Sequence, residues 1–397
     1  MTSDLGNKEL FPQAREVIYL DTAAEGLPPS STAAALERYF AAKSSGSPGR
    51  TQFYEVERET TALAASLIGA SAENVALVGN ASDALNLLAG SLDWAAGDEI
   101  VLMDLEFPSN VLPWLRLREE GIHVRLVRSK SGAFSIGDFE AVINERTKLV
   151  TVSQVSYKNG FQIPFLDELA EAAHRVGALL AVDATQALGR VPVSAGQADF
   201  LVASSYKWTL GCHGVGIVYA APGLLERCAP RAVGWYSVSD VFRPDRFEAF
   251  SPKAGASSLV LGMPNFPGIY ALQSGLTHIR SVGVERIDRG LGPLVARLRD
   301  GLAERGFELI TPGGEGCCSG IISFAHAAPE QLGAELAKRG VIVWAGDGRV
   351  RSSVHLYNDA NDIEGYLDTL DQISVSAPTL AHSPASVSAS TDGLVPT

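Results

Sequence analysis

Mostly apolar strands alternate with helical segments through much of this chain. From Asn74 onward, strands are predicted for NVALVG, DEIVLMD, HVRLVRS, KLVTVSQVS and ALLAVD, and the segments between them have the spacing of amphipathic helices. Strands that are apolar almost throughout are buried on both faces, which requires helices on both sides of a parallel sheet. The pattern therefore predicts an α/β fold with a large, mostly parallel sheet.

The pattern changes near residue 280, where a long helix predicted from IYALQSGLTHIRSVGVERI leads into a region of mixed strands and helices, in which VIVWAG is predicted to be one strand. We predict that residues 1–280 form the large domain together with an N-terminal segment of a smaller domain. Residues 281–375 are expected to form the rest of that smaller α+β domain. Residues 376–397 are rich in Ser, Ala and Pro without apolar periodicity, so we predict a disordered tail.

Two polar side chains stand at the ends of neighbouring apolar strands. Asp183 closes LLAVD, and Lys207 follows ADFLVASS in a segment almost free of other charges. In a parallel sheet, ligands bind at the carboxyl ends of the strands. Asp183 is also compatible with an ordinary helix-capping carboxylate, whereas burial of a lysine without a function is costly. A lysine that forms a Schiff base and a carboxylate that keeps a pyridine nitrogen protonated suggest pyridoxal phosphate, our working hypothesis.

Small and hydroxyl residues surround this pair. The turn Gly79–Asp83 opens a predicted helix, and free N–H groups at a helix start, with the Ser82 hydroxyl, suit a phosphate. An ordinary capping turn has the same composition, so position is what favours the anion site. Ser204 and Tyr206 place hydroxyls beside Lys207, and Gln186 supplies an amide donor for a ring substituent.

Arginines supply candidate sites for a substrate carboxylate. Arg351 lies in RVRSSVHLYN, where alternation on a strand is compatible either with a solvated face or with a bidentate clamp. Arg50 lies in SSGSPGR, which is predicted to be a loop, and loops often carry functional residues.

Composition limits the other possibilities. The formal net charge is -13, from 32 basic and 45 acidic residues, and the basic residues form no run, so nucleic acid and anionic membranes are poor partner hypotheses. There is neither an apolar run of transmembrane length nor a signal-peptide pattern at the start, which predicts a cytoplasmic protein. The four cysteines lack a CxxC motif and paired histidines, so we expect no metal site and no disulfide framework. No phosphate-binding motif of a nucleotide-binding protein follows a strand.

Several segments in a fixed order resemble the class V aminotransferase family, in the branch that holds cysteine desulfurases and isopenicillin N epimerase-like enzymes. They are YLDTAA, NASDALN, DLEFPSNVLPW, VDATQA, SSYKW, GMPNFPGIYAL and RVRSSVHLYN, and the similarity covers roughly residues 17–372. The resemblance implies a fold type I pyridoxal phosphate enzyme with a seven-stranded sheet. It also implies a homodimer that binds an amino-acid substrate at active sites shared between the subunits.

The same resemblance implies roles for individual residues. Lys207 would bond to the cofactor and Asp183 would pair with its ring nitrogen. The other residues expected at the cofactor are Ala81, Ser82, Ser204 and Tyr206 around the phosphate, Gln186 and Tyr157 near the ring oxygen, Phe107 on the ring face, and Met263 from the partner subunit. The residues expected on the substrate side are Arg351, Ala23, Ala24 and Arg50.

Departures from the desulfurase pattern bear on the reaction. Phe107 stands where desulfurases stack a histidine and has no proton to exchange, and Tyr157 and Met263 replace a polar Asn and a Thr. The loop WAGDGRVR lacks the persulfide-forming cysteine, and Cys317 and Cys318 are misplaced for it. We therefore expect an enzyme that is not a persulfide-forming cysteine desulfurase.

The best hypothesis from the sequence is an external aldimine with an amino acid followed by β-elimination, that is, a C–S lyase of specialised metabolism. Aminotransferase, epimerase and decarboxylating reactions of the same family remain alternatives. A noncatalytic protein that binds pyridoxal phosphate is a further alternative, and the combination of Lys207, Asp183, Gln186 and Arg351 speaks against it.

Overall fold

The computed structural model describes residues 5, 8–228, 230–314 and 319–376. The strands in these ranges are β1 (Ile18–Tyr19), β2 (Val75–Val78), β3 (Glu99–Met103), β4 (His123–Val127), β5 (Thr147–Ser153), β6 (Leu179–Asp183), β7 (Phe200–Ser204), β8 (Gly216–Ala220), β9 (Val238–Ser239), β10 (Ser251–Pro252), β11 (Ile321–Ala325), β12 (Val341–Ile342), β13 (Trp344–Gly346) and β14 (Arg349–Ser353).

The α-helices in the same ranges are α1 (Gln13–Glu16), α2 (Ser31–Ser44), α3 (Arg50–Leu67), α4 (Ala81–Ser91), α5 (Leu112–Arg116), α6 (Ile136–Glu140), α7 (Leu166–Arg175), α8 (Leu224–Arg227), α9 (Phe266–Val282), α10 (Val284–Glu304), α11 (Pro329–Ala337) and α12 (Ala360–Ser376). The predicted tail, apart from Ser376, lies outside the described residues.

The large sheet of the described chain has seven strands in the order β2, β8, β7, β6, β5, β3, β4. Strand β8 runs antiparallel to both of its neighbours, β2 and β7. The pairs from β7 across to β4 are parallel. This architecture confirms the predicted α/β fold with a mostly parallel sheet.

Alternate residues of the central strands belong to two different apolar clusters. Val150 and Val182 lie in one cluster, while Leu149 and Ala181 lie in the other. Successive side chains of a strand point to opposite faces, so both faces of the sheet are buried. Burial on both faces explains why these strands are apolar at nearly every position.

The C-terminal part forms a second layer around an antiparallel sheet in the order β11, β14, β13. The N-terminal segment joins it, because β1 pairs in parallel with β12 through Ile18 and Val341. The Lys8 ammonium adds an ion pair with Asp362 at 2.7 Å. The predicted division into residues 1–280, 281–375 and 376–397 stays a prediction.

Three local predictions differ from the structure. The long helix expected near residue 280 is two helices, because Gly283 has a φ of 88° between α9 and α10 and ends the first one. The run VIVWAG is not one strand, since β12 pairs with β1 whereas β13 pairs with β14. Arg50 is not a loop residue but the first residue of α3.

Among the described residues, none of the helices combines the length and the hydropathy needed to cross a bilayer.

Candidate active site

A cavity of about 350 Å³ opens at the carboxyl ends of β5, β6 and β7, beside the start of α4. Nine of the predicted cofactor-binding residues line it: Ala81, Ser82, Phe107, Tyr157, Asp183, Gln186, Ser204, Tyr206 and Lys207. Its wall also includes Asn80 of the predicted phosphate turn and residues that the sequence did not single out, namely Ser109, Ser153, Val155 and Thr185. The topology thus brings segments from five parts of the chain to one edge of the sheet.

Lys207 is the cationic side chain of the cavity wall and is only 6% exposed. Burial lowers the pKa of its ammonium to about 8, although the nearby Asp183 carboxylate acts in the opposite direction. The Lys207 Nζ atom lies 5.2 Å from the centre of the Phe107 ring and 5.5 Å from that of Tyr206. A lysine in this environment is partly neutral near physiological pH and is therefore available as a nucleophile.

Asp183 ends β6 in a fully buried position, where its Oδ1 atom accepts a hydrogen bond of 2.8 Å from the Thr185 N–H. Burial raises the pKa of this carboxyl, while the hydrogen bonds from Thr185 and the charge of Lys207 oppose the rise. Asp183 and Lys207 thus lie on the same wall and interact electrostatically. The sequence predicted this pairing from neighbouring strand ends.

Glu106 is a second buried carboxyl close to the site, and the sequence analysis missed its role. It accepts hydrogen bonds from the Ser153 N–H at 2.6 Å, the Ser153 hydroxyl at 2.5 Å and the Asn110 amide at 2.9 Å. Burial raises its pKa to about 7, and the charge of Asp183 acts in the same direction. Glu106 therefore ties the turn that carries Phe107 to the end of β5.

Hydroxyl groups and a helix start gather at one end of the cavity. The Asn80 Oδ1 atom caps α4 by accepting a hydrogen bond of 2.9 Å from the Asp83 N–H. Ser82 donates to the Ser109 hydroxyl at 2.7 Å, and the Thr185 hydroxyl accepts a bond of 3.1 Å from the Ser204 N–H. Free N–H groups at the start of an 11-residue helix, together with these hydroxyls, suit a phosphate.

Gln186 is engaged at both ends of its amide. Its Nε2 atom donates to the Ala23 carbonyl at 3.0 Å, and its Oε1 atom accepts a bond of 2.6 Å from the Trp208 indole. A primary amide carries two N–H donors, so one of them is left for a ligand.

Aromatic rings also line the cavity. The rings of Phe107 and Tyr157 meet edge to face, with their centres 5.1 Å apart. On the wall formed by Tyr206, the ring stacks on that of His213 with centres 4.2 Å apart. His213 in turn lies 3.2 Å from the Glu25 carboxylate.

The predicted carboxylate clamp, Arg351, is buried close behind the wall rather than on it, with 4% of its surface exposed. Its Nη1 atom donates to the Tyr157 carbonyl at 3.0 Å, and its Nη2 atom lies 3.5 Å from Asp21 Oδ1. Its guanidinium carbon lies 5.2 Å from the centre of the Trp344 ring. Burial raises the pKa of Asp21 to about 6, against the charges of Arg351 and Lys207. Asp21 lies in YLDTAA, yet its type and position alone did not indicate a buried partner for Arg351.

The other predicted residues lie off this wall. Ala23 contacts it through Gln186 and donates its N–H to the Ser353 hydroxyl at 3.0 Å. Ala24 follows in the same turn, and Arg50 is exposed at the start of α3. Met263 is exposed and lines a separate cavity of about 570 Å³ beside β2.

Thiols and metal ligands do not assemble near the site in the described part of the chain. Cys212 and Cys228 are half-buried, whereas Cys317 and Cys318 lie outside the described residues. Over the same described ranges, no group of three or more His, Cys, Asp and Glu side chains is placed to hold a metal ion.

The residues of the cavity fit pyridoxal phosphate. Its phosphate matches the hydroxyls and the start of α4, its ring nitrogen matches the buried Asp183, and its aldehyde matches the amine of Lys207. The aromatic wall at Phe107 matches a flat ring.

Comparison with known proteins places this chain among related sequences. Residues 18–365 match the family model described as Aminotransferase class-V. A probable cysteine desulfurase of Methanothermobacter thermautotrophicus is 31% identical, over 92% of this chain and 96% of that protein. A probable cysteine desulfurase of Pyrococcus abyssi is 29% identical, over 91% of this chain and 96% of that protein.

Solved structures share the fold. The apo structure of a cysteine desulfurase from Thermococcus onnurineus superposes with a TM-score of 0.86 at 27% identity, over 93% of this chain and 98% of that one. These matches confirm the family resemblance, the fold type and pyridoxal phosphate as the cofactor.

The comparisons also correct one prediction. We expected an enzyme that is not a persulfide-forming cysteine desulfurase, and this exclusion is wrong, because the similar proteins over nearly the whole chain are cysteine desulfurases and probable cysteine desulfurases. The exclusion depended on a cysteine missing from one loop, WAGDGRVR.

Proposed function

Because this chain belongs to the aminotransferase class-V family, we propose that it is a pyridoxal phosphate enzyme that cleaves the carbon–sulfur bond of cysteine or a close derivative of cysteine. The names of its relatives support cysteine as the substrate class. The observation that carries the proposal is the buried amine of Lys207, which faces the cavity together with the carboxyl of Asp183.

Pyridoxal phosphate supplies a carbonyl that reacts with amines and a pyridine ring that draws electrons from the substrate α-carbon. We assign its phosphate to the hydroxyls of Ser82 and Ser204, the backbone of Ala81 and the side chain of Tyr206. Ser109 and Thr185 extend this set, because the structure places their hydroxyls on the same wall.

Lys207 has two tasks in this proposal. It would hold the cofactor through its amine when no substrate is bound, and it would move the proton at the substrate α-carbon. An amine whose pKa is about 8 accepts and returns a proton near neutral pH more readily than an ordinary lysine. Phe107 has no proton to exchange, so the proton transfer depends on Lys207. The Asp183 carboxylate accepts the N–H of the pyridine ring and so keeps that ring protonated.

Arg351 binds the substrate carboxylate in this proposal. Its Nη1 atom is already bonded to the Tyr157 carbonyl, so the carboxylate would bind the edge formed by Nε and Nη2, where Nη2 also lies 3.5 Å from Asp21 Oδ1. Ala23 and Ala24 border the same side with small side chains, and Arg50 is a further cation that we assign to the substrate entrance.

We also propose a homodimer in which Met263 reaches the cofactor of the partner subunit. Met263 and its neighbours in the turn 262–265 line the apolar cavity beside β2 rather than their own lysine site. The adjacent segment 230–258 exposes Trp235, Phe242 and Phe247. Exposed apolar surface of this kind is common at interfaces between subunits.

The test is product analysis with L-cysteine. The holoenzyme is incubated with L-cysteine and dithiothreitol, and sulfide, alanine, pyruvate, ammonia and pyridoxamine phosphate are measured. Sulfide with alanine indicates transfer of sulfur to a thiol, and sulfide with pyruvate and ammonia indicates β-elimination; both outcomes support cleavage of the C–S bond.

Accumulation of pyridoxamine phosphate without sulfide would contradict the proposal in favour of transamination. Lys207→Ala serves as the control, and we expect it to lose sulfide production together with the absorbance of the lysine-bound cofactor.

A further inference from the structure

The ion pair between Asp21 and Arg351 is incomplete. The two groups approach to 3.5 Å, but within the described chain Asp21 Oδ1 is buried without a hydrogen-bond partner, and so is Arg351 Nε. A buried carboxylate and a buried guanidinium ordinarily share two short hydrogen bonds. The pair is therefore close enough to interact strongly, yet it leaves donors of the arginine open.

The backbone holds Asp21 in this place. Asp21 forms a parallel bridge with Ser353, and the Ser353 N–H donates to the Leu20 carbonyl at 2.7 Å. Residues 20–21 thus extend β1 along β14, the strand that carries Arg351. The position of the carboxylate relative to the guanidinium follows from this ladder rather than from a flexible side chain on the surface.

We propose that Asp21 is a built-in competitor for Arg351, so that a substrate carboxylate binds the arginine only when Asp21 takes up a proton from solvent. Asp21 is then a positioning and specificity-determining residue that sets the affinity for carboxylates and makes it depend on pH. The inference rests on the proposed function, because it takes Arg351 as the carboxylate site.

Electrostatics supports this coupling. The charged and titratable groups that act on Asp21 or Arg351 are Lys207, Arg349, Glu25, Tyr19, Tyr157 and Tyr357. Two carboxylates beside one buried guanidinium repel each other, so one of them is driven to its neutral form. The pKa of Asp21, about 6 before any ligand binds, makes it the one that is protonated.

The sign of the pH effect follows from linkage. Below a pH of about 6, Asp21 is already neutral and a carboxylate binds at full strength. Above that pH, one proton is taken up for each carboxylate bound, and the affinity falls by up to about tenfold per pH unit. An ordinary aspartate would produce this effect near pH 4, outside the working range of most enzymes.

The experiment uses propionate as the probe, because it carries a carboxylate but no amine that would react with the cofactor. Its dissociation constant is measured by calorimetry on the holoenzyme between pH 6 and 8, for the wild type, Asp21→Asn and Arg351→Met. Titrations of the wild type in two buffers of different ionisation enthalpy give the number of protons taken up per propionate bound. This measurement needs no variant.

We expect the wild type to lose about tenfold in affinity between pH 6.5 and 7.5 and to take up close to one proton per propionate at pH 7.5. Asp21→Asn should bind at least tenfold more tightly at pH 7.5, with no slope. Glu37→Gln is the control, since Glu37 is exposed on α2 and is not among the groups that act on Asp21 or Arg351, and it should keep the wild-type slope.

Two results would overturn the inference and leave the proposed function standing. In the first, Arg351→Met loses propionate binding but the wild type takes up no proton. In the second, Asp21→Asn binds propionate more weakly than the wild type does. In the second case, Asp21 would only hold Arg351 in position. If Arg351→Met binds propionate as well as the wild type does, the assignment of Arg351 in the proposed function fails, and the inference fails with it.

Discussion

Three side chains around the cavity are largely buried, and their protein partners do not fully replace the water that they lose. This loss of hydration sets their protonation. Lys207, Glu106 and Asp21 are removed from water, and the pKa of each moves towards the neutral form, to about 8, 7 and 6 respectively. Each group has a partner of opposite charge or hydrogen-bond donors, but these do not replace its hydration fully. The site is therefore built from groups that change charge between pH 5 and 9.

Uptake of the cofactor by the apoenzyme should report on Lys207. The neutral amine is the form that attacks the carbonyl of pyridoxal phosphate. We expect the rate of cofactor binding, followed by absorbance, to rise with pH and to level off above about pH 8. A rate that still rises tenfold between pH 9 and 10 would show that Lys207 titrates as an exposed lysine does.

Glu106 should make stability depend on pH. Its pKa in the folded protein, about 7, lies above the value of an unfolded glutamate, so the folded state binds the proton more tightly. Its favourable contribution is complete below the unfolded pKa and is lost as the pH rises towards 7, by at most about 1.4 kcal/mol per pH unit. We expect urea unfolding of Glu106→Gln to lack this decline between pH 5 and 7.

A matched control for this measurement is Glu37→Gln, which changes an exposed carboxyl on α2 and should keep the decline. Equal slopes for the wild type and Glu106→Gln would show that Glu106 remains charged when it is buried.

At the scale of secondary-structure elements, the turn after β1 packs closely against the segment that carries Lys207. The Gly26 N–H donates to the Tyr206 carbonyl at 2.8 Å, and a Cβ atom on Gly26 would overlap the carbonyl oxygen of Lys207. The Tyr19 hydroxyl donates to the Glu25 carbonyl at 2.7 Å and braces the same turn. The backbone of the catalytic segment is thus positioned by residues nearly two hundred positions earlier in the chain.

Gly26→Ala should consequently lower both stability and activity. The added methyl group has no space, so the turn or the Lys207 backbone must shift, at a cost of about 1–3 kcal/mol in the free energy of unfolding. Misplacement of the amine should lower kcat/KM by roughly 10- to 100-fold.

The control for this substitution is Gly90→Ala. Gly90 lies near the end of α4, with nothing within contact distance of an added Cβ. Alanine favours a helix, so this variant should gain about 0.5–1 kcal/mol and keep its activity. Equal activities of the two variants would contradict the role of the close approach at Gly26.

The features that could be predicted from the sequence are those that a short stretch of neighbouring residues encodes. Each of the strands β5, β6 and β7 is apolar over a run of a few residues, so the sheet was predicted. Asp183 and Lys207 stand at the ends of such runs, so the lysine site was predicted as well. Burial of Asp21 and Glu106 comes from partners on distant strands, and no short pattern encodes it. The division of VIVWAG into β12 and β13 arises in the same way, because its two halves pair with different strands.

At the scale of the whole molecule, apolar surface concentrates on one segment. Phe242 and Phe247 are 82% and 88% exposed in the segment 230–258. The end of this segment packs against the β2 side of the sheet through residues 255–259. The proposed dimer would cover these rings and bring Met263 near a second cofactor site.

Replacement of both rings by serine should weaken the dimer. Burial of a phenylalanine contributes roughly 1.5–3 kcal/mol, so the double variant Phe242→Ser, Phe247→Ser should raise the dissociation constant by roughly 100-fold or more. Sedimentation velocity over a range of concentrations measures this shift. Leu126→Ser, on the opposite edge strand β4 and 39% exposed in the wild type, should leave the dimer intact. A wild type that sediments as a monomer at all concentrations would refute the dimer.

The pairing of β1 with β12 also gives the site an order of assembly during synthesis. Ile18 reaches its partner Val341 only when most of the chain has left the ribosome, which takes roughly 20–70 s at ~5–20 residues per second. The strands β2 to β8, with Asp183 and Lys207, are complete much earlier. We expect the nascent chain to acquire the elements of its predicted cofactor site well before Asp21 and Arg351 meet, so the pair that is proposed to control carboxylate binding forms late.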